Sequence, residues 1–158
     1  MTASTHLAVG AMAGLLVQKY LPNAGKSEKL FFGFAAGFVS HLLLDTFPHQ
    51  EYSIGGIELG AVLFAEIAFA FSMCLSFRQP LLVNAIIFLG MVGGAMPDVV
   101  YFANRHLLSW AQLGDLGSII HLFSHDAVPL GFDVSIYFQL LLAFGAYCFV
   151  KLKLRPVK

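Results

Sequence analysis

The stretch HLLLDTFPH places His41, Asp45 and His49 at intervals of four residues, at the end of an otherwise apolar run. On a helix, residues four apart are stacked neighbours, about 5–6 Å between Cβ atoms. His41 and Asp45 are therefore able to share one metal ion or to bridge two. Pro48 is expected to end the helix near Phe47, which lets His49 fold back over the site from the loop. His121 and His125 repeat the spacing in HLFSHD, with Ser118 as a candidate N-cap. Asp126, beside His125, is placed either to orient a ligand or to act as a general base. Histidines at i and i+4 are a common zinc-binding pair. The glutamate that follows the first histidine in HExxH proteases is replaced by Leu122, which disfavours that peptidase chemistry. Imidazole with carboxylate suits zinc, with iron, manganese and nickel as other choices.

The elements that must position these residues follow from composition. The 158 residues are 58% hydrophobic and 11% charged, with a mean hydropathy of +0.79. A soluble domain carries about 25% charged residues, so this chain lacks the charge to cover a water-facing surface. The expectation is an all-α integral membrane protein: a single domain, residues 1–158, built as a bundle of about five transmembrane helices. A formal net charge of zero leaves no basic patch large enough to hold nucleic-acid phosphates. Cys74 and Cys148 lie in apolar runs and read as buried, unpaired thiols.

Five apolar segments fall at about residues 4–21, 30–47, 57–77, 81–103 and 131–150, each near the ~20 residues that cross a bilayer core. PNAGKSEK, PHQEYSIGG, RQP and a longer mixed stretch from Asn104 to Leu130 separate them. Gly10, Gly14, Gly33, Gly37, Gly90, Gly93 and Gly94 lie inside the spans. Small residues at such spacing let membrane helices approach closely. No Lys or Arg precedes the first segment and Lys19 follows it, the reverse of a secretory signal; it reads as a retained helix.

The basic residues orient the bundle. Lys19, Lys26, Lys29, Arg78, Lys151, Lys153, Arg155 and Lys158 fall on one side of a five-span chain, and only Arg105 falls on the other. The positive-inside rule puts the first set in the cytoplasm, with the N-terminus out and the C-terminus in. On that map His6, His41, Asp45, His49, Glu58, Glu66, Asp98, His121, His125 and Asp126 all fall in the outer half. The topology used only Lys and Arg, so this convergence of candidate ligands is independent of it. An acidic residue at membrane depth costs about 2.5–3.5 kcal/mol on insertion scales and usually has a partner and a role. His106, beside Arg105, reads as an interfacial packing residue, and Asp115 and Asp133 read as loop acids. Trp110, with Leu107 and Leu108, suggests a short interfacial helix that would roof the site.

MTASTHLAVGAMAG, GFVSHLLLDTFPH, GGAMPDVV and HLFSH together resemble the YdjM-like family of small bacterial and archaeal membrane proteins, described as membrane-bound metal-dependent hydrolases. Carried over by position, the resemblance implies His6, His41, Asp45, Asp98, His121 and His125 as metal ligands, in a multi-pass protein of a prokaryotic plasma membrane. The motif order is altered: the Pro-Asp block follows the His-x-x-x-Asp helix, and the family's Asp-x-Asp is reduced to Asp98. The chain is closer to a short variant with SHLLLD ahead of PH. A weaker likeness, carried by HLLLDTFPH alone, reaches the zinc-dependent phospholipase C and P1-type nuclease group. It implies hydrolysis of a phosphoester at one or more zinc ions, which lower the pKa of bound water from 15.7 to about 7. A site just below the outer surface would meet a lipid or lipid-linked substrate laterally. Two other readings stand beside this one: a transporter relaying protons or metal ions, which needs polar residues through the inner half, and a structural membrane subunit whose His/Asp cluster specifies packing.

Overall fold

A computed structural model describes residues 2–47, 49, 56–75, 79–106 and 135–154, with backbone alone at 73–75 and 101–106. The architecture among these residues is all-helical: α1 (Ala3–Tyr20), α2 (Lys26–Asp45), α3 (Gly56–Leu75), α4 (Leu81–His106) and α5 (Ile136–Lys153). Each apolar segment of the sequence therefore corresponds to a helix. Two of them, over Leu81–Val100 and Ile136–Lys153, are long and apolar enough to cross a membrane.

Local chemistry explains the boundaries. α2 begins at Lys26, before its apolar run, because Glu28 reaches back and accepts a hydrogen bond from the Gly25 N–H at 2.7 Å. That satisfies a donor at the helix start and sets a negative charge on its positive end. α5 begins where Ser135 accepts from the Phe138 N–H at 3.3 Å, and it ends with Lys151 and Lys153 in its last turn. Those cations favour the helix's negative end.

α1 is the central element and touches α2, α3, α4 and α5. Its sequence, ASTHLAVGAMAGLLVQKY, is rich in small residues, and Ser4 through Ala11, Gly14 and Leu15 are buried. α4 lies against both α1 and α2 through glycine. A Cβ added at Gly14 would stand 2.6 Å from the Ile86 carbonyl oxygen, and one at Gly10 or Gly37 would overlap the Gly90 carbonyl. Backbone thus meets backbone, which only residues without a Cβ allow.

The same contacts fix direction. Gly33 meets Ile86, Gly37 meets Gly90 and His41 meets Gly94, so α2 and α4 run parallel. Gly14, Gly10 and His6 meet Ile86, Gly90 and Gly94 in turn, so α1 runs antiparallel to α4. α5 runs parallel to α1: Thr2 meets Gln139 at one end, and Lys19 shares a cavity with Lys153 at the other. The bundle therefore has a histidine end, with His6, Asp45 and Asp98, and a lysine end, with Lys19 and Lys153.

The interior mixes an apolar cluster around Leu7, Ile87, Met91 and Val150 with polar side chains. Many interior residues are small or polar: Ser4, Thr5, His6, His41 and Gln139 are all at most 2% exposed. The outer faces carry Phe31, Leu43, Phe64, Val99, Leu141 and Phe144, each more than half exposed. Apolar surface so extensive on a monomer marks contact with another apolar phase or partner.

Candidate metal centre

Three helices build the site at the histidine end. α1 supplies His6, about one turn into a helix whose small residues let it run between its neighbours. α2 supplies His41 and Asp45 on one face, as their i,i+4 spacing requires. α4 supplies Asp98, directly after the in-helix Pro97. Proline removes the N–H that would bond the Gly93 carbonyl, loosening the ladder at this level. The next carbonyl, Gly94, accepts a hydrogen bond from His41 Nδ1 at 2.7 Å.

That bond decides what His41 can do. A carbonyl only accepts, so Nδ1 carries the proton, and in the neutral ring the lone pair sits on Nε2. Nε2 faces Asp45 Oδ2 at 2.9 Å. A lone pair and a carboxylate oxygen at that distance require a cation between them, either a proton or a metal ion. Anchoring the far ring nitrogen on a backbone carbonyl is the usual way a metal-binding histidine is oriented.

His6 repeats the arrangement from the other side. Its Nε2 lies 3.3 Å from Asp45 Oδ1, so the two oxygens of one carboxylate each face one imidazole. The two rings stack with centroids 4.1 Å apart and planes inclined by 29°. His6 Nδ1 is buried with no hydrogen-bond partner among the described residues. His6 is therefore held by Asp45 and by ring contact, with no backbone anchor on Nδ1 among the described residues, whereas His41 is oriented by Gly94. Asp98 completes the ring of charge: its Oδ1 is 3.8 Å from His41 Nε2 and its Oδ2 3.9 Å from His6 Nε2. The Asp98 side chain is 45% exposed, against 1% for both histidines and 5% for Asp45. The cluster is closed on the protein side and open at Asp98.

His6, His41 and Asp45 together could hold a metal ion, since their donor atoms lie within 4.8 Å of one another. Two ligands on one tetrahedral zinc stand roughly 3.3 Å apart, given bonds of about 2.0–2.1 Å. The 2.9 and 3.3 Å separations from Asp45 to the two histidines already match that spacing. The residues present fit a divalent ion with nitrogen and oxygen ligands.

Other candidates stand elsewhere. His49 is not in this group; its Nδ1 lies 2.9 Å from the Phe47 carbonyl in an exposed contact. His121, His125 and Asp126 lie outside the described residues, as do Ser118 and Trp110. Glu58 is exposed. Glu66 is buried and accepts a 2.7 Å hydrogen bond from Ser4 Oγ. It belongs to a second polar network that sequence reasoning missed. There the Thr2 N–H donates to Gln139 Oε1 at 2.7 Å, Thr5 Oγ1 donates to the Gln139 carbonyl at 2.9 Å, and the Thr2 and Thr5 hydroxyls bond at 2.7 Å. The available signal was TASTH, a polar opening to a helix otherwise made of small apolar residues, and Gln139 alone in an apolar run. Comparison of the chain with protein-family models, with curated proteins and with solved structures finds no match.

Proposed function

We propose that this chain is a five-span membrane protein that binds zinc at His6, His41, Asp45 and Asp98 and hydrolyses a phosphoester of a lipid or lipid-linked substrate at the outer face of a prokaryotic plasma membrane. One observation carries the reading. Two imidazole nitrogens from different helices meet the two oxygens of one buried carboxylate, and one imidazole is already oriented by a backbone carbonyl. A buried Asp with two histidines at membrane depth is costly unless it serves a site. The resemblance to YdjM-like hydrolases points the same way, as does the exposed apolar surface.

Zinc, when bound, would supply Lewis acidity and an activated water at neutral pH. The protein's own residues do the rest. Gly94 holds the His41 ring so that Nε2 faces the ion. Asp45 ties both histidines to one point. Asp98, at the open edge, leaves a side from which a phosphate could approach. His121, His125 and Asp126 belong to this proposal as further ligands and a general base contributed by the last outer connection.

A conducting pathway is disfavoured by the layer beneath the site. Gly90, Met91, Ile86 and Ile87 are fully buried between the His/Asp cluster and Gln18 and Asn84 at the lysine end. Those four residues offer no polar side chain to relay a proton or an ion.

The test is metal content by mass spectrometry on full-length protein purified in detergent without chelator, beside Asp45→Ala and His121→Ala. The expected result is near-stoichiometric zinc in the wild type, lost in both variants, with phosphate ester cleavage by the loaded wild type. Wild-type protein that stays metal-free after zinc repletion would overturn the reading.

A further inference from the structure

The end of the bundle opposite the His/Asp cluster carries a cavity of about 240 Å³, formed where α1, α5 and the start of α4 diverge. Leu15, Val83 and Phe149 make its apolar wall, and Lys19, Lys153, Gln18 and Gln79 supply its polar side chains. We propose that this cavity binds the headgroup end of an anionic phospholipid that carries a hydroxyl, of the phosphatidylglycerol type, from the inner leaflet.

Three observations specify that occupant. The first is charge: Lys19 and Lys153 come from different helices to one rim, and no carboxylate pairs with either among the described residues. Aromatic rings hold both ammonium groups in place. Lys19 Nζ lies 5.1 Å from the Tyr20 ring centroid and Lys153 Nζ 5.9 Å from that of Phe149, within the range of cation–π attraction.

The second observation is an unmet acceptor. Gln18 Oε1 is buried and has no hydrogen-bond partner among the described residues. A buried acceptor left unmade costs about 1–3 kcal/mol, and because the Gln18 side chain lines the cavity, a turn of its amide would present that oxygen to a ligand hydroxyl. Phosphatidylcholine has phosphate but no headgroup donor, so it does not meet this requirement. The third is size. Sites for whole drug-sized ligands run to about 300–1,000 Å³, so this cavity takes one end of an amphiphile and leaves the acyl chains along the exposed apolar faces outside.

The inference depends on the membrane reading and not on zinc, and its test is run without metal. Full-length protein in a neutral detergent is titrated with phosphatidylglycerol and with phosphatidylcholine of the same acyl chains, and bound lipid is read by native mass spectrometry. The expected preference for phosphatidylglycerol is about thirtyfold, from two lysines near a membrane surface. The Lys19→Gln/Lys153→Gln pair should bind phosphatidylglycerol no better than phosphatidylcholine. Gln18→Leu should weaken phosphatidylglycerol about tenfold, the loss of one buried hydrogen bond. Lys26→Gln/Lys151→Gln removes the same charge from the same side of the chain without touching the cavity, and should keep the preference. Equal binding of the two lipids by the wild type, or equal losses in the two double variants, would overturn the site. Thermal unfolding of each variant in detergent, unchanged from the wild type, separates loss of the site from loss of the fold.

Discussion

At the scale of single residues, the two carboxylates of the cluster are not equivalent. Asp45 is buried and reaches both histidines at 2.9 and 3.3 Å. Asp98 is half-exposed and stands 3.8–3.9 Å from the same atoms. Asp98→Asn should therefore weaken zinc by about tenfold to a hundredfold, the range for groups that support a ligand set. Asp45→Asn should weaken it by more than that. Competition with a chromophoric chelator gives both numbers, and the reverse order would remove Asp45 from the centre of the site. The pairing of His41 with Asp45 was legible in the sequence because helical spacing alone puts i and i+4 together. The gathering of His6 and Asp98 was legible only coarsely, from their shared half of the topology. The stacking of His6 on His41 and the grip of Gly94 on the His41 ring were not legible. Both depend on how closely α1, α2 and α4 approach, which no local pattern encodes.

At the scale of elements, that approach is set by glycine. A Cβ at Gly37 would overlap the Gly90 carbonyl, whereas one at Gly60 or Gly145 meets nothing within 4 Å. Gly37→Ala should destabilise the protein by about 1–3 kcal/mol, the cost of overpacking a close interface. Gly60→Ala and Gly145→Ala should be neutral or stabilise by about 0.5–1 kcal/mol, since glycine weakens a helix interior. Reversible unfolding in detergent, followed by circular dichroism, separates the two classes. Gly94→Ala tests how packing reaches the site. A Cβ there would stand 2.5 Å from the His6 carbonyl oxygen, so α1 must shift away from α4. Zinc affinity should fall even though no ligand has been changed. A Gly94→Ala protein with wild-type affinity would show that the helix contact does not position the site. The helices themselves were legible from hydropathy and breakers, with ends displaced by a few residues. α2 starts at Lys26 and not at residue 30, because the reach of Glu28 to Gly25 adds a polar turn that hydropathy cannot register.

At the scale of the whole molecule, the alternating helix directions give the bundle two chemically different ends. One gathers His6, His41, Asp45 and Asp98; the other gathers Lys19, Lys153 and Gln79, whose amide donates to the Leu154 carbonyl at 2.6 Å. Lys29 belongs to the second end as well, with its ammonium donating to the Pro22 carbonyl at 2.7 Å. Among the described residues the lysines lie at one end only, which is what a membrane potential and an anionic inner leaflet favour. Under the proposed membrane reading, that polarity would put the His/Asp cluster outside. With Cys74 and Cys148 replaced by serine, single cysteines at Thr46 and Ser135 should react with a membrane-impermeant maleimide in intact cells. Cysteines at Ala24 and Lys153 should react only after the membrane is opened. The four positions cap α2 and α5 at one end and lie in the α1–α2 turn and the last turn of α5 at the other. The reverse labelling would turn the His/Asp cluster to the cytoplasm and exclude an outer-leaflet substrate. Labelling of all four in intact cells would mean that the chain does not span the membrane. Its exposed phenylalanines and leucines would then have to be covered by other protein.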